Sequence, residues 1–285
     1  MNIVDKWEFW VVIYLISEVV FAQTFKRCNR KMKNASALTV LLEIFTAVFA
    51  IFFIPLFQMK FPSNYVIYLI LFIVTIIYAL TDRLNIEARY GLDPSAFSMM
   101  KQLSTVFIIV FGIILFNEDV VIKKIIGSII ILFSNFLLTY NKGKICINKY
   151  FIMSVLSNFL FAVAMLINVD IADNFNLGIY TIITVSIPSV IISIFSKIKI
   201  KDLKEEYNLC DKKLFIVSAF TWCLMLISSV RAYQIGNVVI VASLFALTSI
   251  LNCIIEVVFN KDRSAFIKKI ICAILIILGV LLIRL

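Results

Sequence analysis

The sequence contains no histidine, and only 15% of its 285 residues are charged. A soluble domain carries about 25% charged residues, so this chain lacks the polar surface that a water-soluble fold needs. The absence of histidine removes the commonest metal ligand and the commonest general base of enzymes. The six cysteines form no CxxC pair, and no GxxxxGK(S/T), HExxH or GxSxG motif occurs. We therefore expect no metal site, no cofactor, no ATP-driven mechanism and no enzyme activity.

Apolar residues make up most of the chain instead. They account for 62% of the sequence, and the mean hydropathy is +1.05. The net charge of +10 comes from lysines and arginines that lie mostly in short stretches between apolar runs. This arrangement is typical of membrane topology signals rather than of nucleic-acid binding. The expected environment is therefore a lipid bilayer, and no nucleic-acid partner is expected.

Apolar runs of about 20 residues, the length that a helix needs to cross a bilayer, occur ten times. They cover residues 8–25, 35–57, 65–89, 95–116, 121–140, 149–170, 176–196, 214–234, 237–259 and 265–284. The mixed-charge stretch 197–213 is predicted as a solvated loop. The sequence thus predicts an all-α polytopic membrane protein with ten transmembrane helices.

Short patterns recur at about half the chain length. The recurring pairs are IKKIIG at 122–127 with IKKIIC at 267–272, offset by 145, and SEVVFA at 17–22 with SNFLFA at 157–162, offset by 140. They divide the chain into halves 1–144 and 145–285, each with five spans. Because five is odd, the second half crosses the membrane in the opposite sense. Two inverted five-helix repeats are the plan of many secondary transporters, whose binding site lies near the midplane between the repeats.

Several stretches also carry a family resemblance. They are the acidic turn and glycine-containing helix of residues 118–138, the last run 275–283, residues 88–90 followed by 95–107, and Asp170. In these stretches the sequence resembles the EamA-type branch of the drug/metabolite transporter superfamily. The resemblance implies a ten-helix transporter fold, a cavity lined in part by the eighth helix, and both termini in the cytoplasm.

Glu18 is the ionisable residue predicted to lie deepest in the membrane. It lies ten residues beyond Glu8, which is about 15 Å along a helix and half of a 30 Å hydrocarbon core. Its repeat partner is Asn158, and we expect both to face one central cavity. A carboxyl at this depth is costly, which favours a functional role such as exchanging a proton for a cationic or zwitterionic substrate. The alternatives are a structural ion pair with Lys101 and capping of the carboxyl by hydroxyl groups.

Other polar and aromatic residues fall within the spans and are further candidates. Glu43, Lys101 and Gln102 either line the cavity or serve the structure, and Arg231 either gates one mouth or binds an anionic group. Tyr14, Trp222 and Tyr233 are candidate cavity aromatics, with ordinary packing as the alternative. Arg83 and Glu87 are spaced i,i+4 and are predicted to form a structural ion pair. Asn252 and Glu256 lie one turn apart on one helix face.

These observations favour a secondary active transporter that moves a small polar metabolite, such as an amino acid or an amine. Export by alternating access, with proton coupling or exchange, is the expected mode. A lipid or lipid-linked-sugar flippase and a non-transporting membrane scaffold are the alternatives. The expected partners are a small-molecule substrate and the bilayer, with a homodimer left open.

The connections after odd-numbered spans carry 20 lysines and arginines against 6 on the other side. The charge bias therefore places both termini outside a cell membrane, whereas the family habit places them in the cytoplasm.

Overall fold

A computed structural model describes residues 6–116, 121–141, 144–145, 147–168, 171–236, 241, 244–260 and 266–284. Glu118, Asp119 and Asp170 of the family resemblance lie outside these residues, as does most of the first third of the predicted ninth span. The α-helices are α1 (Trp7–Cys28), α2 (Ala35–Ile51), α3 (Tyr65–Gly91), α4 (Pro94–Met100), α5 (Leu103–Phe116), α6 (Ile122–Thr139), α7 (Lys149–Asn168), α8 (Leu177–Phe195), α9 (Ile200–Leu209), α10 (Lys212–Ile235), α11 (Thr248–Asn260) and α12 (Phe266–Arg284). Two short antiparallel strands, β1 (Tyr140–Asn141) and β2 (Lys144–Ile145), join α6 to α7.

The fold is helical, and each of the ten predicted spans contains helix. Within the described residues, five helices are long and apolar enough to cross a membrane by length and composition. These are Trp7–Lys31, Tyr65–Gly91, Leu177–Phe195, Lys212–Ile235 and Phe266–Ile283. Shorter apolar helices cover Ala35–Ile51, Lys149–Met165 and Thr248–Val258.

Burial is distributed as expected for a bundle surrounded by lipid. Large apolar side chains such as Phe52, Ile194 and Ile267 face outward and are mostly exposed, whereas Glu18 and Asn252 are fully buried. In water this distribution would be unfavourable, because exposed apolar surface and buried polar groups both raise the free energy of the folded state. The helices and this burial are consistent with a membrane protein.

The stretch 197–213 is largely exposed, as the sequence predicts, but it contains helix α9 instead of a loop. The Asp202 carboxylate accepts the backbone N–H of Lys199 at 2.8 Å, which satisfies a donor at the start of the helix. Leu203 and Tyr207 pack against the main hydrophobic core, and the Tyr207 ring lies 5.8 Å from that of Phe45. The helix was not predicted because its apolar residues Leu203 and Tyr207, spaced four apart, lie in a stretch rich in charged residues.

The second span ends earlier than predicted. Helix α2 stops at Ile51, and a 3-10 turn at Ile54–Leu56 follows, because Pro55 lacks a backbone donor and cannot continue a helix. The Asn176 amide at the start of α8 donates to the carbonyls of Ile54 and Phe57, at 3.1 and 2.8 Å. The free carbonyls at this helix end are thus satisfied by a side chain of the other half.

Two helices are interrupted at positions 145 residues apart. A turn at residues 101–102 separates α4 from α5, and a turn at residues 246–247 precedes α11. Around each turn the backbone forms i→i+3 bonds, such as Ser104 N–H to Lys101 C=O at 3.2 Å and Leu247 N–H to Leu244 C=O at 3.0 Å. The separation equals the sequence offset between the two lysine pairs.

The two halves of the chain interleave instead of forming separate units. The most extensive helix contacts pair α1 with α10, α3 with α7, α2 with α8 and α6 with α12, and α4 packs on α11. Every one of these pairs joins a helix before residue 145 to a helix after it. The core therefore lies between the halves.

Helices α6 and α12 approach closely enough to touch through their backbones. A Cβ on Gly127 would lie 2.5 Å from the Gly279 carbonyl oxygen, which only glycine permits. One to two turns along, the Ser134 hydroxyl donates to the Cys272 carbonyl at 2.8 Å. Residue numbers rise along α6 while they fall along α12, so the two helices are antiparallel.

Candidate functional site

Glu18 lies at the centre of a buried polar network between α1, α4 and α11. Its carboxylate accepts a hydrogen bond from the Asn252 amide at 3.1 Å and one from the Ser98 hydroxyl at 3.3 Å. The Asn252 amide also donates to the Ser98 oxygen at 2.8 Å, and its carbonyl oxygen accepts from the Gln23 amide at 3.0 Å. Glu18, Ser98 and Asn252 are all fully buried. A carboxylate deep in the bundle is therefore held by neutral donors.

Arg89 brings a cation to the same region. Its guanidinium carbon lies 4.0 Å from the Phe97 ring centroid, 4.7 Å from that of Phe21 and 5.8 Å from that of Trp222. The side chain is 5% exposed, and its Nε has no hydrogen-bond partner among the described residues. Arg89 interacts electrostatically with Glu18. Aromatic faces thus surround the guanidinium, and they offer no hydrogen-bond acceptor to its Nε.

Lys26 fixes the backbone that carries Arg89. The Lys26 ammonium donates to the carbonyls of Tyr90 at 2.6 Å and Leu92 at 2.8 Å, and more weakly to that of Arg89 at 3.4 Å. These carbonyls lie at the end of α3, where a cation is favoured by the helix dipole. The position of the Arg89 guanidinium is therefore set from both its backbone and its ring contacts.

Lys101 lies at the break between α4 and α5 and does not form the ion pair with Glu18 that the sequence left open as an alternative, whereas the Ser98 hydroxyl does contact Glu18. Its ammonium donates to the Tyr14 hydroxyl at 2.9 Å, and it interacts electrostatically with Glu18 and Arg89. We call Glu18, Arg89, Ser98, Lys101 and Asn252 the central cluster. Within the described part of the chain, no lysine or arginine lies within ion-pair distance of Glu18.

An ionic network lies one helical turn from the central cluster, at the end of the bundle where α1, α3 and α11 finish. The Lys269 ammonium contacts the Glu256 carboxylate at 2.9 Å and the Asp93 carboxylate at 3.2 Å. Glu256 also accepts the backbone N–H of Ser95 at 2.7 Å and its hydroxyl at 2.6 Å. We call these four residues the basic-end network, because the lysine- and arginine-rich connections lie at this end. It ties α12 and α11 to the start of α4.

Aromatic side chains lie on the opposite side of the central cluster. The Tyr14 ring stacks on Phe245 with centroids 3.7 Å apart, and Tyr233 meets Phe245 edge-on at 5.3 Å. We call these three residues the aromatic layer. The central cluster is therefore covered by ion pairs towards one end of the bundle and by stacked rings towards the other.

The structure does not bring Asn158 to Glu18. The Asn158 amide donates within its own helix, to the Ser154 carbonyl at 2.6 Å. Helix α7 packs mainly on α3 and α5, whereas α1 packs on α10 and α11. The amide that reaches Glu18 belongs to Asn252, on the face that the sequence assigned to Asn252 and Glu256.

Glu43 is a second buried carboxyl, away from the central cluster. It is 1% exposed, and neither carboxylate oxygen has a hydrogen-bond partner among the described residues. The charged group with which it interacts is the Asp82 carboxyl on α3. Two acids without a counter-cation cannot both be ionised at low cost in this environment.

The remaining candidates are dispersed. The Arg231 guanidinium bonds Gln234 at 3.4 Å and lies 5.9 Å from the Phe57 ring, and its Nε is unpartnered among the described residues. Gln102 lies half-buried at the helix break. Trp222 packs on Phe21 with centroids 4.6 Å apart, beside Arg89. The Arg83–Glu87 ion pair is present at 3.8 Å, and Glu87 also meets Lys149 at 3.7 Å.

Sequence reasoning missed Arg89 and Lys269 as members of buried sites. Both lie at the ends of apolar runs, where a basic residue is normally assigned to the membrane interface. The one available signal was helix length, because α3 has 27 residues and exceeds what a perpendicular span needs. Among the described residues, no group of three or more cysteine, aspartate or glutamate side chains could hold a metal ion.

Outside the membrane-spanning segments, Glu206 on α9 anchors the start of α2. One of its carboxylate oxygens accepts the backbone N–H groups of Lys33 at 3.0 Å and Asn34 at 2.6 Å. Burial raises the pKa of the Glu206 carboxyl, although these two bonds act in the opposite direction. The other oxygen is buried without a partner among the described residues.

Comparisons with known proteins bear on the fold. No family model and no curated protein matches the sequence. Solved structures do match, with 21 chains similar to this one. One of them, described as "Crystal structure of protein", has a TM-score of 0.62 and 12% identity, over 96% of this chain and 94% of that chain. At this identity the likeness shows a shared fold along nearly the whole chain.

Proposed function

We propose that this protein is a secondary active transporter that moves a small polar metabolite, such as an amino acid or an amine, across a cell membrane. Export by alternating access, coupled to protons or to exchange, is the mode that we favour. The observation that carries the proposal is the central cluster, which holds a carboxylate and two cations deep in the bundle. Ionisable groups at such depth are costly and are typical of substrate or proton pathways.

The two helix breaks support an inverted repeat of ten spans. Secondary transporters of this plan place interrupted helices in corresponding positions of their halves, next to the binding site. Here the breaks at 101–102 and 246–247 are related by the same offset as the lysine pairs at 123–124 and 268–269. Lys101 of the central cluster lies on one of them.

The contact between α6 and α12 supports the inversion. With an offset of 145 residues, Gly127 of the first repeat corresponds to Cys272 of the second, and Ser134 corresponds to Gly279. The Gly127–Gly279 contact and the Ser134–Cys272 contact are therefore exchanged by that offset, as a two-fold axis between antiparallel repeats requires. This relation also favours membership of the EamA-type branch of the drug/metabolite transporter superfamily.

The layers on the two sides of the central cluster suit alternating access. Opening towards one end of the bundle requires separating the Lys269–Glu256 ion pair, and opening towards the other requires separating the Tyr14–Phe245 stack. Because Glu18, Arg89, Ser98 and Asn252 are buried and Lys101 is half-buried, we interpret this conformation as an occluded state. The charge bias assigns the basic end to the cytoplasm and both termini to the outside.

A flippase is the second candidate, because an open groove runs along the outside of the bundle. It is lined by Leu137, Val257, Phe266, Ile267, Lys268, Ile271 and Cys272. An apolar groove with a lysine beside it is suited to a lipid with an acidic headgroup. A lipid that competes with a water-soluble substrate for binding would favour this function.

The test is transport by the purified protein in liposomes. A thermal-shift screen of amino acids, amines and nucleotide sugars identifies a ligand, and counterflow of that radiolabelled ligand is then measured with and without a pH gradient. We expect Glu18→Gln to abolish the effect of the pH gradient while the protein remains folded. Glu8→Gln, at the exposed start of the same helix, is the matched control. Unchanged pH dependence in Glu18→Gln would rule out proton coupling through this residue.

A further inference from the structure

The Arg89 side chain is buried, and its Nε donor has no acceptor among the described residues. Its Nε has no hydrogen-bond partner, and no carboxylate lies within ion-pair distance, in the part of the chain that the structure describes. Buried guanidinium groups normally donate to carboxylates, carbonyls or water, because leaving the donors unpaired is costly. Phe21, Phe97 and Trp222 stabilise the charge through their ring faces. They offer no oxygen to the N–H groups.

The central cluster also has more cationic than anionic side chains. Arg89 and Lys101 are both cations, and Glu18 is the carboxylate with which both interact. The Glu18 oxygens are already occupied by the Asn252 amide and the Ser98 hydroxyl. One further negative group would therefore both balance the charge and offer an acceptor to the free Nε of Arg89.

We propose that Arg89 is the receptor for an anionic group, a carboxylate or a phosphate, of the molecule that the central cluster binds. Lys101 supplies the second cation, and the rings of Phe21, Phe97 and Trp222 form the walls beside the group. The planar fork of arginine matches the two oxygens of a carboxylate or phosphate better than a point charge does. This inference rests on the proposed function and narrows its substrate to an anion or a zwitterion, which excludes a simple amine.

The test measures binding directly, without transport. The purified full-length chain in detergent is heated with four probes of similar size: phenylacetate, phenyl phosphate, phenylacetamide and phenethylamine. We expect phenylacetate or phenyl phosphate to raise the melting temperature, and the neutral amide and the amine to leave it unchanged. Whichever anion acts distinguishes a carboxylate from a phosphate.

Variants then assign the effect to Arg89. We expect Arg89→Gln to weaken anion binding by roughly 10- to 100-fold, which corresponds to the loss of hydrogen bonds to a charged group. Arg83→Gln, on the same helix and in a half-exposed ion pair with Glu87, is the matched control and should bind as the wild type does. Equal anion binding by wild type and Arg89→Gln would overturn the proposal. So would stabilisation by the amine alone, or the absence of any anion-dependent shift.

A second measurement does not need an Arg89 variant that folds. In a Trp7→Phe, Trp10→Phe background, Trp222 is the one remaining tryptophan, and its ring lies beside the guanidinium. We expect the active anion to change its fluorescence with the same affinity as in the thermal assay, and the amide to have no effect. A Trp222 signal that does not respond to the anion would contradict the site.

The two proposals fail separately. Anion binding at Arg89 without counterflow would leave the subsite standing and argue against a transporter. Counterflow of a cationic substrate that is unaffected by Arg89→Gln would keep the transporter and remove the anionic subsite.

Discussion

The Asn252 amide lies 3.1 Å from the Glu18 carboxylate, although 234 residues separate the two in the sequence. The same amide contacts the Ser98 hydroxyl, and its carbonyl oxygen accepts from Gln23. One side chain therefore connects the first helix, the interrupted fourth span and the ninth span at the centre of the bundle.

Replacing Asn252 with leucine should destabilise the protein by about 1–3 kcal/mol, because it removes the buried hydrogen bonds that Asn252 makes to Glu18, Ser98 and Gln23. The midpoint of thermal unfolding in detergent measures the effect. Asn158→Leu is the control, since Asn158 bonds only within its own helix among the described contacts, and should cost less. A larger loss in the control would contradict the assignment of Asn252 as the central amide.

Replacing Lys269 with methionine should cost about 3–5 kcal/mol, because it leaves the buried Glu256 carboxylate without its cation. The double variant Lys269→Met, Glu256→Gln should recover part of this loss, since the remaining carboxylate of the network, Asp93, is half-exposed and not buried. Denaturation of the single and double variants gives the coupling energy. Lys123→Met, at an exposed lysine of α6, should have little effect. Additive losses would show that the two side chains do not interact.

Replacing Glu43 with leucine should stabilise the folded protein by about 1–3 kcal/mol, because a buried carboxyl without partners is removed. Glu43→Gln keeps two polar atoms in the same place and should gain less. Thermal unfolding of the three proteins gives the order. A loss of stability in both variants would show that Glu43 has a stabilising partner in the folded protein.

Glu206 should make stability depend on pH. Because burial raises the pKa of its carboxyl, the folded state holds the proton more tightly than the unfolded state does. The stabilising contribution is therefore complete below the unfolded pKa and is lost as the pH rises through the folded value. Glu206→Gln keeps an acceptor for the Lys33 and Asn34 N–H groups, and its melting temperature should vary less between pH 4 and 8. An identical pH profile in the variant would contradict the shift.

The positions of the helices were largely predictable from the sequence, because apolar runs of spanning length leave few alternatives. The breaks at residues 101–102 and 246–247 were not. The dipeptides Lys101-Gln102 and Ala246-Leu247 contain neither glycine nor proline, so local sequence does not impose these turns and tertiary packing must hold them.

The candidate site was predictable in part. Depth along a helix identified Glu18, Lys101 and Tyr14, which the structure places close together. The depth of a residue along its helix could not predict the hydrogen-bond partner of Glu18 across the bundle. That partner, Asn252, reaches Glu18 because of how α11 packs against α4. Arg89 was missed for a related reason, since only the fold turns its helix end inward.

The unequal charge of the central cluster has an electrical consequence. Counted by formal charge, Arg89, Lys101 and Glu18 give the site without ligand one net positive charge. Moving one such charge through the full membrane field is worth about 2.3 kcal/mol per 100 mV. An anionic ligand with one negative charge cancels this charge, so the change of access in the ligand-bound protein should depend little on the membrane potential. The change of access in the protein without ligand should depend on the membrane potential. This step would therefore determine the voltage dependence of the transport cycle.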